Sequence, residues 1–157
     1  MNTGIFTGSF DPFTIGHENI VRRALPLFDR LIIGVGINEH KQYMQDADTR
    51  KRRIQEVFRN EPHITVKTYS DLTIDFARRE MAQFIVKGVR SVKDFEYERE
   101  QADVNRMITG GEVETLLLYS EPQLSSVSSS MVRELQHFGL DVSRFLPDSA
   151  ATTCLHV

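Results

Sequence analysis

Residues 7–17 read TGSFDPFTIGH and combine two glycines, several hydroxyl side chains and a histidine. They follow the short apolar run Gly4–Phe6 and precede a helical pattern that extends to about Phe28. Backbone N–H groups at the first turn of a helix lack intrahelical partners, and the helix dipole adds a partial positive charge. The segment therefore predicts a phosphate site at a strand-to-helix junction, with His17 beside the anion and Gly16 leaving room for it.

Each of these residues also has a simpler interpretation. His17 is compatible with an exposed histidine at a helix start, and Ser9 and Thr14 with helix caps. Because its glycines are eight positions apart, the segment is not the G-x-G-x-x-G of dinucleotide-binding folds, and no Gly-Lys-Ser/Thr of a Walker A loop follows. The combination of residues favours a phosphate site.

Charged and hydroxyl side chains also follow the next predicted strands. Lys41 is either a solvated charge or a cation that neutralises phosphoryl oxygens. Thr73 lies in a turn for which capping by Ser70 or Asp71 is the alternative. Beyond the fourth strand, Arg90 offers a planar fork of donors suited to phosphate, and Gly88 permits close approach of the backbone to a ligand.

The serine-rich residues 124–130 form a second candidate anion site. Hydroxyls at a helix N-terminus can bind phosphate or simply cap the helix. Two such sites on adjacent crossovers suit a triphosphate ligand. Glu98 has a helix partner at i to i+4 as its simpler explanation, and the charge cluster at residues 46–53 predicts a solvated helix face.

The elements that position these residues alternate between strand and helix patterns. The predicted strands are Gly4–Thr7, Arg30–Ile37, Ile64–Tyr69, Phe84–Lys87 and Val113–Tyr119. The predicted helices are Gly16–Phe28, Asp48–Arg59, Thr73–Ala82, Lys93–Ile108 and Ser128–Phe138. Asp48 and Ser128–Ser130 are the predicted caps, and Gly139 is a predicted helix stop. Pro26 weakens the prediction for the last turn of the first helix. Five such units predict an α/β fold, a single-domain Rossmann-like doubly wound five-stranded parallel sheet with helices on both faces. Ligands in such folds lie beyond the carboxyl ends of the strands.

Composition narrows the class of protein. The chain has 157 residues, 40% of them hydrophobic and 26% charged, which suits one domain over residues 1–157. We expect no membrane span, because no apolar run approaches about 18 residues, and no secretory signal. Cys154 is the single cysteine, so a reducing cytoplasm without disulfides is expected. The net charge of −3 argues against nucleic acid as a partner.

Residues 7–17 resemble the signature of the nucleotidyltransferase superfamily that carries the T/H-x-G-H motif. Residues 87–98 and 124–133 resemble, in the expected order, motifs of its bacterial phosphopantetheine adenylyltransferase family, and the likeness extends from Gly4 to about Pro147. The chain departs from the family at Lys87, where arginine is usual; lysine keeps the charge and loses bidentate geometry.

The resemblance implies transfer of an adenylyl group from ATP to 4′-phosphopantetheine, giving dephospho-coenzyme A and pyrophosphate by direct in-line displacement without a covalent intermediate. It implies catalysis by His17 and Lys41 and binding of the acceptor by Ser9, Lys41, Thr73 and Lys87. The implied ATP contacts are Ser9, Phe10, His17, Gly88, Val89, Arg90, Glu98, Leu124, Ser125, Ser126, Val127, Ser128, Ser129 and Ser130. It also implies a homohexamer, feedback inhibition by coenzyme A, and Mg²⁺ that arrives with ATP rather than in a protein metal site.

Other readings share part of this pattern. Nicotinamide-nucleotide adenylyltransferases and glycerol-phosphate cytidylyltransferases share the first motif, while residues 87–98 and 128–130 favour the pantetheine enzymes. A regulatory nucleotide-binding module would keep both anion sites without needing His17 or Lys41. A nicotinamide-dependent oxidoreductase is disfavoured by the lack of G-x-G-x-x-G.

Overall fold

The computed structural model describes residues 1–148, so Cys154 lies outside the described residues. Its five parallel strands are β1 (Thr3–Gly8), β2 (Arg30–Gly36), β3 (Ile64–Tyr69), β4 (Phe84–Val89) and β5 (Glu114–Tyr119). The strand order is β3-β2-β1-β4-β5. The chain winds outward from β1 in one direction and then, after β3, crosses back to continue on its other side. This confirms the predicted doubly wound sheet.

Residues 1–148 contain five α-helices, and helices pack on both faces of the sheet. They are α1 (Ile15–Ala24), α2 (Ala47–Val57), α3 (Thr73–Arg79), α4 (Val92–Thr109) and α5 (Ser129–His137), and short 3₁₀ turns occupy Leu25–Leu27, Pro122–Leu124 and Ser143–Phe145. Neighbouring residues of β1 point to opposite faces: Phe6 joins the core beneath α1 and α2, whereas Ile5 packs with Phe76 of α3. Because both faces are buried, the central residues of β1 and β2 are mainly apolar.

Helix ends differ in detail from the prediction. The first helix ends at Ala24, and Pro26 lies in a 3₁₀ turn, because proline has no N–H to donate. The cap of α2 is Asp46, which accepts from the Thr49 N–H at 2.6 Å, so the assignment of Asp48 was wrong. Ser128 caps α5 as predicted, accepting from the Met131 N–H at 3.0 Å.

The alternative interpretation of the turn before α3, a cap by Ser70 or Asp71, does not hold. The N-cap position is Leu72, which has no side-chain hydrogen bond to give, and Asp71 instead pairs with Arg79 at 2.5 Å. After α5, Gly139 adopts a φ of +79°, a left-handed conformation that suits glycine, and this confirms the predicted helix stop. Within residues 1–148, none of the helices has the length and hydropathy of a membrane span.

Candidate active site

A cleft of about 320 Å³ opens where the carboxyl ends of β1 and β4 meet the N-termini of α1 and α5. This is the point at which the strand order reverses, the usual ligand position in doubly wound folds. The structure brings the following predicted site residues together in its lining: Ser9, Phe10, His17, Lys41, Lys87, Gly88, Arg90, Glu98, Val127, Ser128, Ser129 and Ser130. Four separate segments of the chain therefore meet in one space.

A second cleft, of about 630 Å³, adjoins the first along Ser9 and Lys87. It is bounded by the loop after β2 and by Leu72 and Thr73 at the start of α3. Thr73 thus lies in the adjoining cleft, within hydrogen-bond distance of the Tyr69 hydroxyl at 3.2 Å. Lys87 is shared by the two clefts, so a ligand in one is close to a ligand in the other.

Four predicted ATP contacts are not among the described residues that line either cleft. Leu124, Ser125 and Ser126 lie in or just after a 3₁₀ turn, where the Ser125 hydroxyl donates to the Pro122 carbonyl at 2.9 Å. Val89 is a buried strand residue. Their part in ATP binding stays a prediction, and for Val89 it would fall to the backbone.

The position of His17 is fixed by the cap of α1. Thr14 is the N-cap; its hydroxyl accepts from the His17 N–H at 3.4 Å, while its own N–H lies 3.0 Å from His17 Nδ1. An N–H can only donate, so Nδ1 is an acceptor and the neutral ring carries its proton on Nε2. Phenylalanine rings surround the imidazole, with Phe10 at 5.0 Å and Phe13 at 5.3 Å. The tautomer and the ring orientation are both set by the fold.

The charge state of His17 follows from its surroundings. Burial, together with the positive charges of Arg90 and Lys87, lowers its pKa from 6.5 to about 4. At neutral pH the imidazole is uncharged and offers one N–H donor. The ring can therefore stabilise a developing negative charge by donating a hydrogen bond, without transferring a proton.

Lys41 reaches this cleft from the loop after β2. Its ammonium group donates to the Ser9 hydroxyl at 3.2 Å and lies 5.5 Å from the centre of the Tyr43 ring. Through this contact, the loop after β2 brings the charge of a flexible lysine side chain to residues 7–17, the first motif. A phosphate bound near Ser9 would meet both groups.

Two ion pairs lie along the β4 side of the cleft. Lys87 is 3.7 Å from Glu98 of α4, and the Arg90 Nε is 3.3 Å from Asp94. Glu98 thus pairs with a strand residue across the cleft, which favours a site role over a purely helical partnership. Among residues 1–148, no group of three or more His, Cys, Asp and Glu side chains is placed to hold a metal ion.

Gly88 has a packing role as well as a predicted ligand contact. A Cβ atom there would lie 3.0 Å from Cγ1 of Ile20, so a side chain would press on α1. The absence of a side chain at Gly88 therefore allows β4 to lie close to α1. Gly88 still lines the cleft.

The N-terminus of α5 is attached to the first motif. The Ser129 hydroxyl donates to the Pro12 carbonyl at 2.7 Å, and Arg133 donates to the Asp11 carbonyl at 2.7 Å and to the Ser130 hydroxyl at 3.2 Å. These bonds hold the two predicted anion sites at a fixed separation. Arg133, which also lines the cleft, was not among the predicted site residues.

The sequence interpretation missed one residue entirely. Arg50 was expected on a solvated helix face, yet it is 1% exposed and donates to the Ser9 and Gly36 carbonyls. Its position four residues before the buried Ile54 places both on the inner face of α2, and this spacing is the signal that would have found it. The expectation was wrong for Arg50 because a charge cluster in sequence does not occupy one face of a helix.

Comparison with known proteins shows the family to which this chain belongs. Residues 5–135 match the cytidylyltransferase-like family, so the chain belongs to that class of nucleotidyltransferase-related proteins. It is 51% identical over 148 residues to the phosphopantetheine adenylyltransferase of Phocaeicola vulgatus, covering 94% of this chain and 97% of that protein. The Flavobacterium johnsoniae protein of the same name is 43% identical, covering 95% and 97%. The chain belongs to the phosphopantetheine adenylyltransferase family.

A solved structure shows how widely the fold is shared. The putative nicotinate-nucleotide adenylyltransferase of Vibrio parahaemolyticus has a TM-score of 0.70 with 16% identity, covering 99% of this chain and 100% of that chain. At this identity the likeness concerns the fold alone. The family assignment rests on the much closer sequence relatives.

Proposed function

We propose that this protein transfers the adenylyl group of ATP to 4′-phosphopantetheine, giving dephospho-coenzyme A and pyrophosphate. The observation that carries the proposal is a convergence: a neutral imidazole N–H from His17 and the cations Lys41, Lys87 and Arg90 face one cleft. They do so in a chain that is half identical to curated phosphopantetheine adenylyltransferases. The protein is an enzyme of the nucleotidyltransferase class.

The chemistry is a single in-line displacement. A phosphate oxygen of the acceptor attacks the α-phosphorus of ATP, a new P–O bond forms, and the bond to the leaving pyrophosphate breaks. A phosphate monoester with a second pKa of about 6 is already ionised at neutral pH, so no strong general base is needed. The protein contributes positioning and stabilisation of charge.

The roles follow from position in the cleft. His17 donates from Nε2, and Lys41 from its ammonium group, to α-phosphate oxygens that gain charge in the transition state. Ser9, already 3.2 Å from Lys41, orients the acceptor's phosphate. Arg90 and the N-terminus of α5 hold the β- and γ-phosphates and then the leaving pyrophosphate.

The acceptor occupies the second cleft, with its phosphate toward Ser9 and Lys87 and its arm toward Thr73. This placement puts the nucleophile next to the α-phosphate without any large movement of either substrate. Glu98, 3.7 Å from Lys87, lies on the ATP side of the same boundary. The two substrates therefore meet at Lys87.

Magnesium belongs to the ATP in this proposal. The carboxylates of the cleft, Asp94 and Glu98, are already paired with Arg90 and Lys87, so the donor set does not fit a metal site built from the protein. Phosphate oxygens and water are the ligands Mg²⁺ favours in nucleotide sites. The ion would lessen the charge on the β- and γ-phosphates.

A hexamer with feedback inhibition by coenzyme A is the proposed assembly and control. The outer surface of α4 supports an assembly, because its apolar side chains are unusually exposed, from Tyr97 at 61% to Met107 at 82%. Light scattering is expected to give six times the chain mass of 18.0 kDa. A mass of one chain at micromolar concentration would contradict the assembly, and unchanged turnover with added coenzyme A would contradict the control.

The activity is tested by pyrophosphate release. Purified protein with ATP and Mg²⁺ is given 4′-phosphopantetheine or nicotinamide mononucleotide, and a third reaction contains CTP and glycerol 3-phosphate. Release with phosphopantetheine alone, slowed by about 100- to 1,000-fold in His17→Ala, is the expected result. Release with another acceptor would overturn the substrate, and ATP binding without any release would indicate a regulatory module.

A further inference from the structure

We infer that Arg50 is a positioning residue for adenylyl transfer, holding the loop that carries Ser9 against the loop that carries Lys41. The inference rests on the proposed function and assigns a part in it to a helix residue that does not line the first cleft. Arg50 would act through the backbone of its neighbours and would touch neither substrate.

The guanidinium group of Arg50 joins three separate pieces of backbone. One nitrogen donates to the Ser9 carbonyl at 2.6 Å and to the Gly36 carbonyl at 3.0 Å. The Nε donates to the Gln45 carbonyl at 3.1 Å. These carbonyls belong to the first motif, the end of β2 and the far end of the loop after β2, so one side chain fixes their relative positions.

The loop containing Lys41 is held at both of its ends by this arrangement. Gly36 precedes the loop and Gln45 ends it, and Arg50 bonds to both. The ring of Tyr43, within the loop, lies 4.0 Å from the guanidinium carbon. Lys41 itself then reaches Ser9 at 3.2 Å. Both ends of that contact depend on Arg50.

A second group, the Asp11 carboxylate, joins the same pair of loops. The buried carboxylate of Asp11 accepts from the Met44 N–H at 2.7 Å and from the Gln45 N–H at 3.0 Å. Asp11 is part of the first motif, as Ser9 is. The two loops are therefore joined by a carboxylate and a guanidinium, both through backbone groups.

The burial of Arg50 argues for more than a stabilising role. Moving a charge out of water is costly, and an apolar side chain of similar volume avoids that cost. Arg50 is 1% exposed, and its side-chain donors point to carbonyl groups of loops at the cleft rather than into the core. The guanidinium fork supplies geometry that a single ammonium cannot reproduce.

The inference predicts a selective kinetic defect. Displacing Ser9 and Lys41 affects the acceptor's phosphate and the transition state. The Arg50 hydrogen bonds described above do not involve Arg90 or the N-terminus of α5, which hold the β- and γ-phosphates of ATP. A misplacement of about 1 Å costs about 100-fold in rate. We therefore expect Arg50→Lys to lower kcat by about 10- to 100-fold and raise the KM for phosphopantetheine, with the Kd for ATP unchanged within about twofold.

The test compares Arg50→Lys with Arg52→Lys, an exposed arginine on the same helix whose side chain donates to the Thr49 hydroxyl. Steady-state kinetics in both substrates, ATP binding by calorimetry and thermal unfolding are measured for each variant. Arg52→Lys is expected to match the wild type in all of them. An Arg50→Lys variant with wild-type kinetics, or one that fails to fold or weakens ATP and acceptor binding equally, would overturn the inference.

Chemical rescue provides a measurement that a purely structural role of Arg50 would leave unchanged. Arg50→Ala is assayed with millimolar methylguanidinium, and a rise in kcat of at least fivefold, absent for Lys41→Ala, is expected. No rise in a folded Arg50→Ala protein would contradict the inference. Wild-type protein that releases no pyrophosphate with phosphopantetheine would overturn the proposed function, and this inference with it; an active wild type with the unselective variants described above would overturn the inference alone.

Discussion

The Nδ1 atom of His17 lies 3.0 Å from the backbone nitrogen of Thr14, and this contact decides which ring nitrogen faces the cleft. The helix cap, Thr14, bonds directly to the candidate active-site donor, His17. Since the Thr14 N–H occupies Nδ1, the Nε2–H is the group presented to a bound phosphate. The local rule that begins α1 thus also prepares the site for chemistry.

Replacing this donor is expected to affect turnover rather than binding. His17→Ala should lower kcat by about 100- to 1,000-fold, the usual loss for one donor to a transition-state oxyanion, with the Kd for ATP within about twofold. Single-turnover kinetics and calorimetry measure the two quantities. His137→Ala, an exposed histidine at the end of α5, is the matched control. Loss of ATP binding with turnover preserved would refute this role.

The lowered pKa of His17 gives stability a defined pH dependence. Its pKa is about 4 in the folded chain against 6.5 ordinarily, so between these values the unfolded chain binds a proton that the folded chain does not. The free energy of unfolding should therefore fall as the pH is lowered from 6.5 towards 4, by up to about 3 kcal/mol, with no contribution from His17 above pH 6.5.

Urea unfolding of wild type and His17→Gln at pH 7.5 and 4.5 measures this dependence, and the variant should lose less stability. Among residues 1–148, three carboxyl groups have pKa values lowered from 3.8: Asp46 through hydrogen bonds from Thr49, Asp71 through Arg79, and Asp141 through Ser143. The stability that they add is therefore lost only as the pH falls below 3.8. Equal losses in both proteins would show that His17 is not the group responsible. Because the pKa of His17 is about 4, kcat should show no titration of this residue between pH 5 and 8.

Restoring the arginine usual in the family at position 87 is expected to tighten acceptor binding. Lys87 offers a single ammonium group and already lies 3.7 Å from Glu98, whereas arginine can keep that contact and bind a phosphate with two parallel N–H groups. Lys87→Arg should lower the KM for phosphopantetheine by about three- to tenfold and leave the KM for ATP unchanged. Lys93→Arg, at an exposed position of α4, is the control. An unchanged acceptor KM would contradict the assignment.

Packing against β2 gives a prediction about stability. A Cβ at Gly34 would lie 2.6 Å from the Phe76 ring, which is itself stacked on Tyr69 with ring centroids 4.5 Å apart. Because Phe76 is buried and cannot retreat, Gly34→Ala should destabilise the fold by about 1–3 kcal/mol. Gly36→Ala, whose nearest neighbour would be 3.5 Å away, should cost under about 0.5 kcal/mol. Similar urea midpoints for the two variants would contradict this account.

Local patterns predicted well where the signal is itself local. The central strands β1 and β2 were found because residues buried on both faces form largely apolar runs. Ser128 was found because a cap bonds within its own first turn. Asp48 was misplaced because several polar residues in a row suit a cap equally well by type, and only the backbone conformation at Asp46 decides among them. Capping of α3 by Asp71, the simpler alternative for this turn, does not occur because that carboxylate pairs with Arg79.

The sequence by itself determined the order of strands and helices along the chain and the family of enzyme, and it predicted two helix starts as anion sites. Those features depend on residues close together in the chain or on motifs of fixed spacing. Only the tertiary structure decided that Arg50 is buried, that Glu98 meets Lys87, and that Leu124 and Ser125 lie outside the clefts. Each depends on distances between segments far apart in sequence, which are set by how the helices pack on the twisted sheet.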